Sequence, residues 1–251
     1  MNIEHAYILY IDKPEPIKYM EECKASCEQY GVPVTPFLGM KLPTTTAEVK
    51  DKWGFRVDPA VDVNYNDPVH NIWFKEQLCT TGHLAMWKQA QKHTGAVAFF
   101  EHDAIVKRNF LDIDVRDGEI VFLGYRVDHR DDYECIDDPF SLVPIKKFEG
   151  THGYAITPRT AQAMLDMVDK REYLPLGISI DFYLGVQNLF GLKMFVADPS
   201  PMIAPMEDKR SFTQPEGKVA RYNIGPPDGF IKGLKNTDKY RYDAKNNLLV
   251  F

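Results

Sequence analysis

"AFFEHDAIV", residues 98–106, begins as a strand of the buried kind, breaks into a glutamate, a histidine and an aspartate, and then turns apolar again. Charged groups at the end of an apolar run are costly to bury without a partner, so the break belongs at an edge that faces a ligand. In open sheets of alternating strands and helices, ligands gather outside the carboxyl ends of the strands. Glu101, His102 and Asp103 fall at such an end. Side chains two apart on an extended chain share a face, so Glu101 and Asp103 can hold one ligand while His102 faces elsewhere. Two carboxylates in that arrangement suit a hard divalent cation, Mn2+ or Mg2+, with phosphate oxygens and water at its other positions. The plainer alternative is a solvated turn.

The flanking sequence supplies the sheet. Residues 3–11 are apolar, aromatic and β-branched and predict a buried strand. A helix follows whose inner face is Ile17, Met20, Cys23, Cys27 and Tyr30, with Pro14 and Pro16 at its start and Gly31 past its end. Residues 32–40, "VPVTPFLGM", predict a second short extended segment. Residues 43–69 show prolines and asparagines with little period and predict a long excursion over the core, a place where substrate contacts often lie. Residues 71–93 predict a helix closed by Gly95. Gly82 inside it costs about 1 kcal/mol relative to alanine, which points to close packing or a substrate approach there. Residues 96–100 and 119–125 ("EIVFLGY") predict strands, and "THGYAIT" a further strand that runs into a helix capped by Thr157, with Ala161, Met164, Leu165 and Val168 inward. A helix over 180–190, closed by Gly191, and a strand over 192–197 complete the pattern. This alternation predicts an α/β single domain with a mostly parallel central sheet flanked by helices. Its core is expected in 1–198, with 199–251 as a loop-rich extension packed on the same domain.

The chain has 251 residues, of which 44% are hydrophobic, enough for a substantial core. A net charge of −6 disfavours a broad polyanion-binding face. Cys23, Cys27, Cys79 and Cys135 lack the paired spacing of a zinc site and predict reduced thiols. No apolar stretch approaches the roughly 18 residues that span a bilayer, and the N-terminal residues lack a signal-peptide pattern. No integral membrane segment and a cytoplasmic location are therefore expected.

Six segments, in order, resemble glycosyltransferase family 25, the lipooligosaccharide and collagen hydroxylysine galactosyltransferase group. They are "YILYIDKPEPIKYM", "FKEQLCTTGHLAMWK" (through Cys79, His83, Leu84, Trp87 and Lys88), Glu101-His102-Asp103-Ala104, "IVFLGY", "GTHGYAITPRTA" and "SIDFYL". The resemblance covers about residues 6–211. His102 replaces the middle acid of the signature, Gly82-His83 stands where Ser-His is usual, and the arginine after the first strand is absent, with Lys13 and Lys18 nearest.

The resemblance implies a GT-A-like fold and transfer of a hexose or pentose from a nucleotide-sugar donor, uridine diphosphate linked, to an acceptor hydroxyl. Asp103 would ligate Mn2+ or Mg2+ across the donor diphosphate, and Glu101 would contact the ribose or a metal-bound water. Asp181, among apolar residues, is the candidate general base, because a sugar hydroxyl needs a proton acceptor within hydrogen-bond reach; a capping aspartate is the alternative. Asp12 and His83 are assigned to the donor and His152 and Tyr154 to the acceptor, with turn-forming or structural roles as alternatives. "DHRDDYECIDD", residues 128–138, is either a second metal site or a solvated charge run. Trp53 and Trp73 either stack on a sugar or base or pack in the core. The acceptor would be a lipooligosaccharide, another glycan or a hydroxylated side chain. A hydroxymethylated base in viral DNA, modified in the host cytoplasm, is a further possibility. It requires Lys107-Arg108, Lys146-Lys147 and Lys209-Arg210 to line one groove, and the net charge does not favour it. Two other classes compete: a glycoside hydrolase using Glu101 with Asp103 or Asp181, and a non-catalytic nucleotide-sugar binding module.

Overall fold

In chain order the strands are β1 (Ile3–Tyr10), β2 (Val34–Leu38), β3 (Ala96–Glu101), β4 (Ile105–Val106), β5 (Glu119–Phe122), β6 (Gly124–Val127), β7 (Ser141–Ile145), β8 (Gly153–Ile156), β9 (Lys193–Asp198), β10 (Met202–Pro205), β11 (Arg241–Asp243) and β12 (Leu248–Val250). The helices are α1 (Pro14–Gln29), α2 (Thr46–Trp53), α3 (Pro68–Ala90) and α4 (Pro158–Asp169). This computed structural model describes residues 1–58, 68–127, 129–148, 150–171, 179–205 and 232–235, with the backbone of 241–243 and 248–250.

The central sheet has seven strands in the order β2-β1-β3-β8-β5-β9-β7. β2, β1, β3, β5 and β9 run one way; β8 and β7 run against them. A smaller sheet, β4-β10-β6, lies beside it. The fold is thus α/β with a mostly parallel central sheet flanked by helices.

Period-two burial divides the core between the two faces of the sheet. Tyr7, Leu9, Val97, Phe99, Ile120, Phe122, Tyr154 and Ile156 face α3 and α4, whereas Ala6, Ile8, Ala98, Phe100, Val121 and Ala155 face α1. α1 presents Tyr19, Met20, Cys23 and Cys27 inward, and α4 presents Ala161, Met164, Leu165 and Val168. Thr157 caps α4 by accepting from the Thr160 N–H at 3.1 Å. Gly82 is a matter of close packing: a Cβ there would stand 2.9 Å from the Leu9 side chain of β1.

Three expectations need correction. The excursion over 43–69 contains α2, and its signal was present in the sequence. Thr45 accepts from Glu48 N–H at 3.2 Å, while the Glu48 carboxylate accepts from Thr45 N–H at 2.6 Å, the reciprocal Thr-x-x-Glu box that starts a helix. Gly54, in the left-handed region at φ 80°, ends it. Residues 59–67 of the same excursion lie outside the described residues. The single strand over 119–125 is two, because Leu123 N–H turns to the Gly153 carbonyl (2.9 Å) and the chain then crosses into the smaller sheet as β6. The helix over 180–190 is only a short turn with π-type bonding at Phe182–Val186, and Asn188 at φ 46° breaks it. Its Gly185 lies against the Phe148 carbonyl, where no Cβ would fit, so that position of the turn must be glycine. Past residue 198, β10 is buried within the smaller sheet; residues 206–231 lie outside the described residues.

No helix among the described residues is long and apolar enough to cross a membrane.

Removing the α2 box by Thr45→Ala is expected to cost about 1 kcal/mol. The measurement is urea denaturation, with the midpoint lowered and the slope unchanged.

Candidate active site

The antiparallel pairing of β3 with β8 brings distant segments together. Phe100 faces Gly153, and Glu101 N–H donates to the His152 carbonyl at 3.1 Å. Close pairing depends on Gly153, where a Cβ would meet Met202 Sδ at 2.1 Å and the Phe100 ring at 2.9 Å. The acids at the carboxyl end of β3 therefore stand against Thr151 and His152 at the entry to β8.

Glu101 follows Val97 and Phe99 to the α3 face, where Cys79 and His83 lie; its Oε1 is 3.8 Å from His83 Nε2. His102 goes to the other face and stacks on Tyr19 of α1, with ring centroids 6.3 Å apart. Asp103, buried at 3% exposure, accepts from His152 Nδ1–H at 3.3 Å and lies 3.8 Å from the Arg126 guanidinium of β6. Asp181 is half-buried at the start of the short turn before Gly185.

Thr151 Oγ1 lies 2.7 Å from Glu101 Oε1 and 2.8 Å from Asp181 Oδ1. One hydroxyl donates one proton, so both contacts are hydrogen bonds only if one carboxyl is protonated and donates back. Electrostatics decides which. Burial alone would raise Glu101, but the His83 and His152 imidazoles outweigh it and hold that carboxyl down to about 2. Burial likewise opposes ionisation of Asp103, and His152, His102 and Arg126 more than offset it, so its pKa is lowered. Asp181 is pushed up, by burial first and then by the Glu101 charge. Asp181 is thus the acid of the two that takes up a proton more readily. Cys79 is also held protonated, by burial and by Glu101, Asp181, Asp103 and Glu76.

One oxygen each from Glu101 and Asp103 and one His152 nitrogen lie within 4.8 Å of one another. Two carboxylates and an imidazole fit Mn2+, and the carboxylates alone fit Mg2+. Beside them opens a cleft of about 910 Å³, including its open mouth, lined by the ends of β1 and β3, the turn after β2 and α3. Lys13, Lys41 and Lys75 stand in its walls, with Glu101, His102 and Asp103 at its floor.

The fold thus brings together Glu101, Asp103, His83, His152 and Asp181. Asp12 is exposed outside the cleft lining, where it holds Lys41 at 3.1 Å. Tyr154 is fully buried: Trp87 Nε1–H donates to its hydroxyl at 2.8 Å, and His83 Nδ1 lies at 2.9 Å, so its contact is with His83 rather than with any surface. Trp53 is half-buried against Phe37, and the Trp73 side chain lies outside the described residues. Within 128–138, Arg130–Asp132 forms a 3-10 turn and Asp132 is buried. Among the described residues, the metal-type side-chain groups do not include this stretch. Thr151 and Arg126 escaped the sequence reading. A hydroxyl carries no pattern, but an arginine within the apolar "GYRV" repeated the signal of the acidic break.

No protein-family model matches the sequence, and no curated protein matches it. Among solved structures, the chain is similar to the apo form of the glycosyltransferase GlyE from Streptococcus pneumoniae TIGR4, with TM-score 0.35 and 10% identity over 77% of this chain and 45% of that one. It is also similar to a glycosyltransferase involved in glycosylation of the major capsid of PBCV-1, with TM-score 0.38 and 14% identity over 82% of this chain and 97% of that one. The chain spans about half the length of GlyE. Similarity at this level carries no argument about chemistry, which rests on the site itself.

Because the folded state favours the protonated form of Asp181, ionising it costs stability, a cost absent at low pH that grows as pH rises through the elevated pKa. Asp181→Asn copies the neutral form and keeps a donor towards Thr151. The variant is expected to melt at a higher temperature than wild type at pH 7.5, with the gain vanishing below about pH 4, where an ordinary aspartate is protonated. Scanning calorimetry at both pH values measures it.

Proposed function

We propose that the chain is a glycosyltransferase that moves a sugar from a nucleotide-diphosphate donor, uridine linked, to an acceptor hydroxyl. The observation that carries this is the placing of Glu101 between two differently equipped sides. One side is the lysine-walled cleft with Asp103 at its floor. On the other is Asp181, linked to Glu101 through Thr151 and outside the cleft lining.

The cleft suits the donor. Lys13, Lys41 and Lys75 offer cationic partners to a diphosphate, and the leucines of its lining, Leu9, Leu42 and Leu78, offer apolar surface to a base or sugar. Glu101, Asp103 and His152 would hold Mn2+ or Mg2+, which when bound supplies positive charge to the departing diphosphate. His152 first, and then Arg126, keep Asp103 ionised, while Tyr154 and Trp87 hold His83 against Glu101.

Asp181 serves the acceptor. Once ionised, it takes the proton of the attacking hydroxyl, and the raised pKa makes it a stronger base than an exposed aspartate. Thr151 positions it and stabilises its anion by donating a hydrogen bond.

Two rival assignments fare less well. A glycoside hydrolase needs an open slot between its two carboxyls for the scissile bond, and here the Thr151 hydroxyl fills the space between Glu101 and Asp181. A DNA acceptor needs a basic groove, but Arg108 is committed inward to the carbonyls of Ile136 (2.6 Å) and Asp138 (2.8 Å), and Lys209-Arg210 lies outside the described residues. A glycan is the acceptor class that remains favoured.

A panel of nucleotide sugars, assayed for transfer and for slow donor hydrolysis with and without Mn2+, tests the proposal. Metal-stimulated turnover is expected in wild type and its loss in Asp103→Ala; equal turnover by that variant overturns the metal assignment. Donor binding without turnover in every assay, acceptor present, would identify a binding module instead. Asp181→Asn is expected to keep donor affinity and lose at least about 10²-fold in turnover, the usual range for a general base.

A base must be ionised, so transfer should fall as pH drops through the elevated pKa of Asp181. Thr151→Val removes a bond that favours the anion, and the acid limb of the kcat profile should move to higher pH. An unmoved limb would detach Asp181 from the proton transfer.

A further inference from the structure

Two side chains of α3 turn towards Glu101 without entering the chemistry proposed above. Cys79 and His83 are four residues apart on the helix and share a face. Cys79 Sγ, a His83 ring nitrogen and a Glu101 oxygen lie within 4.8 Å of one another. His83 is fully buried, and its Nδ1 is held by the Tyr154 hydroxyl at 2.9 Å. Its Nε2 is buried without a hydrogen-bond partner and aims at Glu101 Oε1 from 3.8 Å, too far for a direct bond. A buried polar atom in that condition calls for a ligand to explain it.

We propose that Cys79, His83 and Glu101 form a second cation site, for a thiophilic divalent ion of the Zn2+ class, separate from the Glu101, Asp103 and His152 set. The donor atoms separate the two. A thiolate, an imidazole and a carboxylate favour Zn2+, and carboxylate-rich sets favour Mn2+ or Mg2+. Glu101 presents Oε1 to His83 and Oε2 to His152, the latter at 3.9 Å, so the two sets meet at different oxygens of one carboxylate.

On binding, the Cys79 sulfur forms the metal bond and its proton leaves to solvent. His83 binds as neutral imidazole through Nε2, with its proton on Nδ1 donated to the Tyr154 oxygen. Such a partner behind the ligand fixes the ring and its tautomer. Cys79 lines the cleft, which gives the ion an entry path. Glu101, itself one of the three ligands, and the neighbouring Asp103 place negative charge near the thiol, which favours a cation there.

Co2+, added alone to the reduced full chain without nucleotide, is the probe. A thiolate-to-cobalt charge-transfer band is expected in wild type, in Cys135→Ser and in Asp103→Asn, and stoichiometric Zn2+ should erase it. Cys79→Ser should lack the band, and His83→Gln should weaken Co2+ binding by about tenfold or more. Circular dichroism confirms that each variant is folded. Absence of the band in folded, reduced wild type overturns the site, as does a band that persists in Cys79→Ser or disappears in Cys135→Ser. Loss in Asp103→Asn would also overturn it, by showing a single shared site. The readout needs no donor sugar, so its failure and failure of the transferase assignment are distinguishable.

Discussion

The hydrogen bond from Glu101 N–H to the His152 carbonyl fixes the register on which the site depends. A slip of one residue between β3 and β8 would send Glu101 to the α1 face and part it from Thr151, His83 and Cys79. That register is secured by packing, since Val97, Phe99, Tyr154 and Ile156 must all reach the same side of the sheet. Gly153 allows the Phe100 ring and Met202 to close over the strand. The core thus sets the geometry of the acids, and the acids need no further device to meet.

Three carboxylates so close together are tolerable because each is treated differently. Glu101 and Asp103 are compensated by imidazoles and, for Asp103, by Arg126, and remain anionic. At Asp181 burial and the Glu101 charge outweigh His152, Thr151 and Arg126, and its pKa is pushed up instead. A pair of acids whose surroundings push their affinities for a proton apart is the usual arrangement of divided labour in catalysis. Here the divider is the single hydroxyl of Thr151.

Where local sequence decided the structure, the sequence was enough. The alternation in β1 and β3, the inward face of α1 and the Thr157 cap of α4 are local properties, and so is the opposite orientation of Glu101 and His102. What was hidden depends on contacts far apart in the chain. The packing of Gly185 against the Phe148 carbonyl joins segments far apart in the chain, and the diversion of residues 124–127 into the smaller sheet follows from pairing with Met202–Pro205. The burial of Tyr154 behind His83 likewise depends on α3, remote in sequence. α2 is the exception, for its Thr45 and Glu48 box is a local helix signal set in a stretch whose prolines and asparagines otherwise favour a loop.

The borders of the central sheet carry one more consequence. β2 and β7 are its outermost strands, and each contains a proline, Pro36 opposite Ile8 and Pro144 opposite Phe195. A proline gives an incoming strand no amide to pair with, and its ring obstructs close approach. Self-association by joining one molecule's sheet to the next is thereby discouraged at both ends, and a chain with Leu38 standing exposed on its rim is protected from growing into a ribbon.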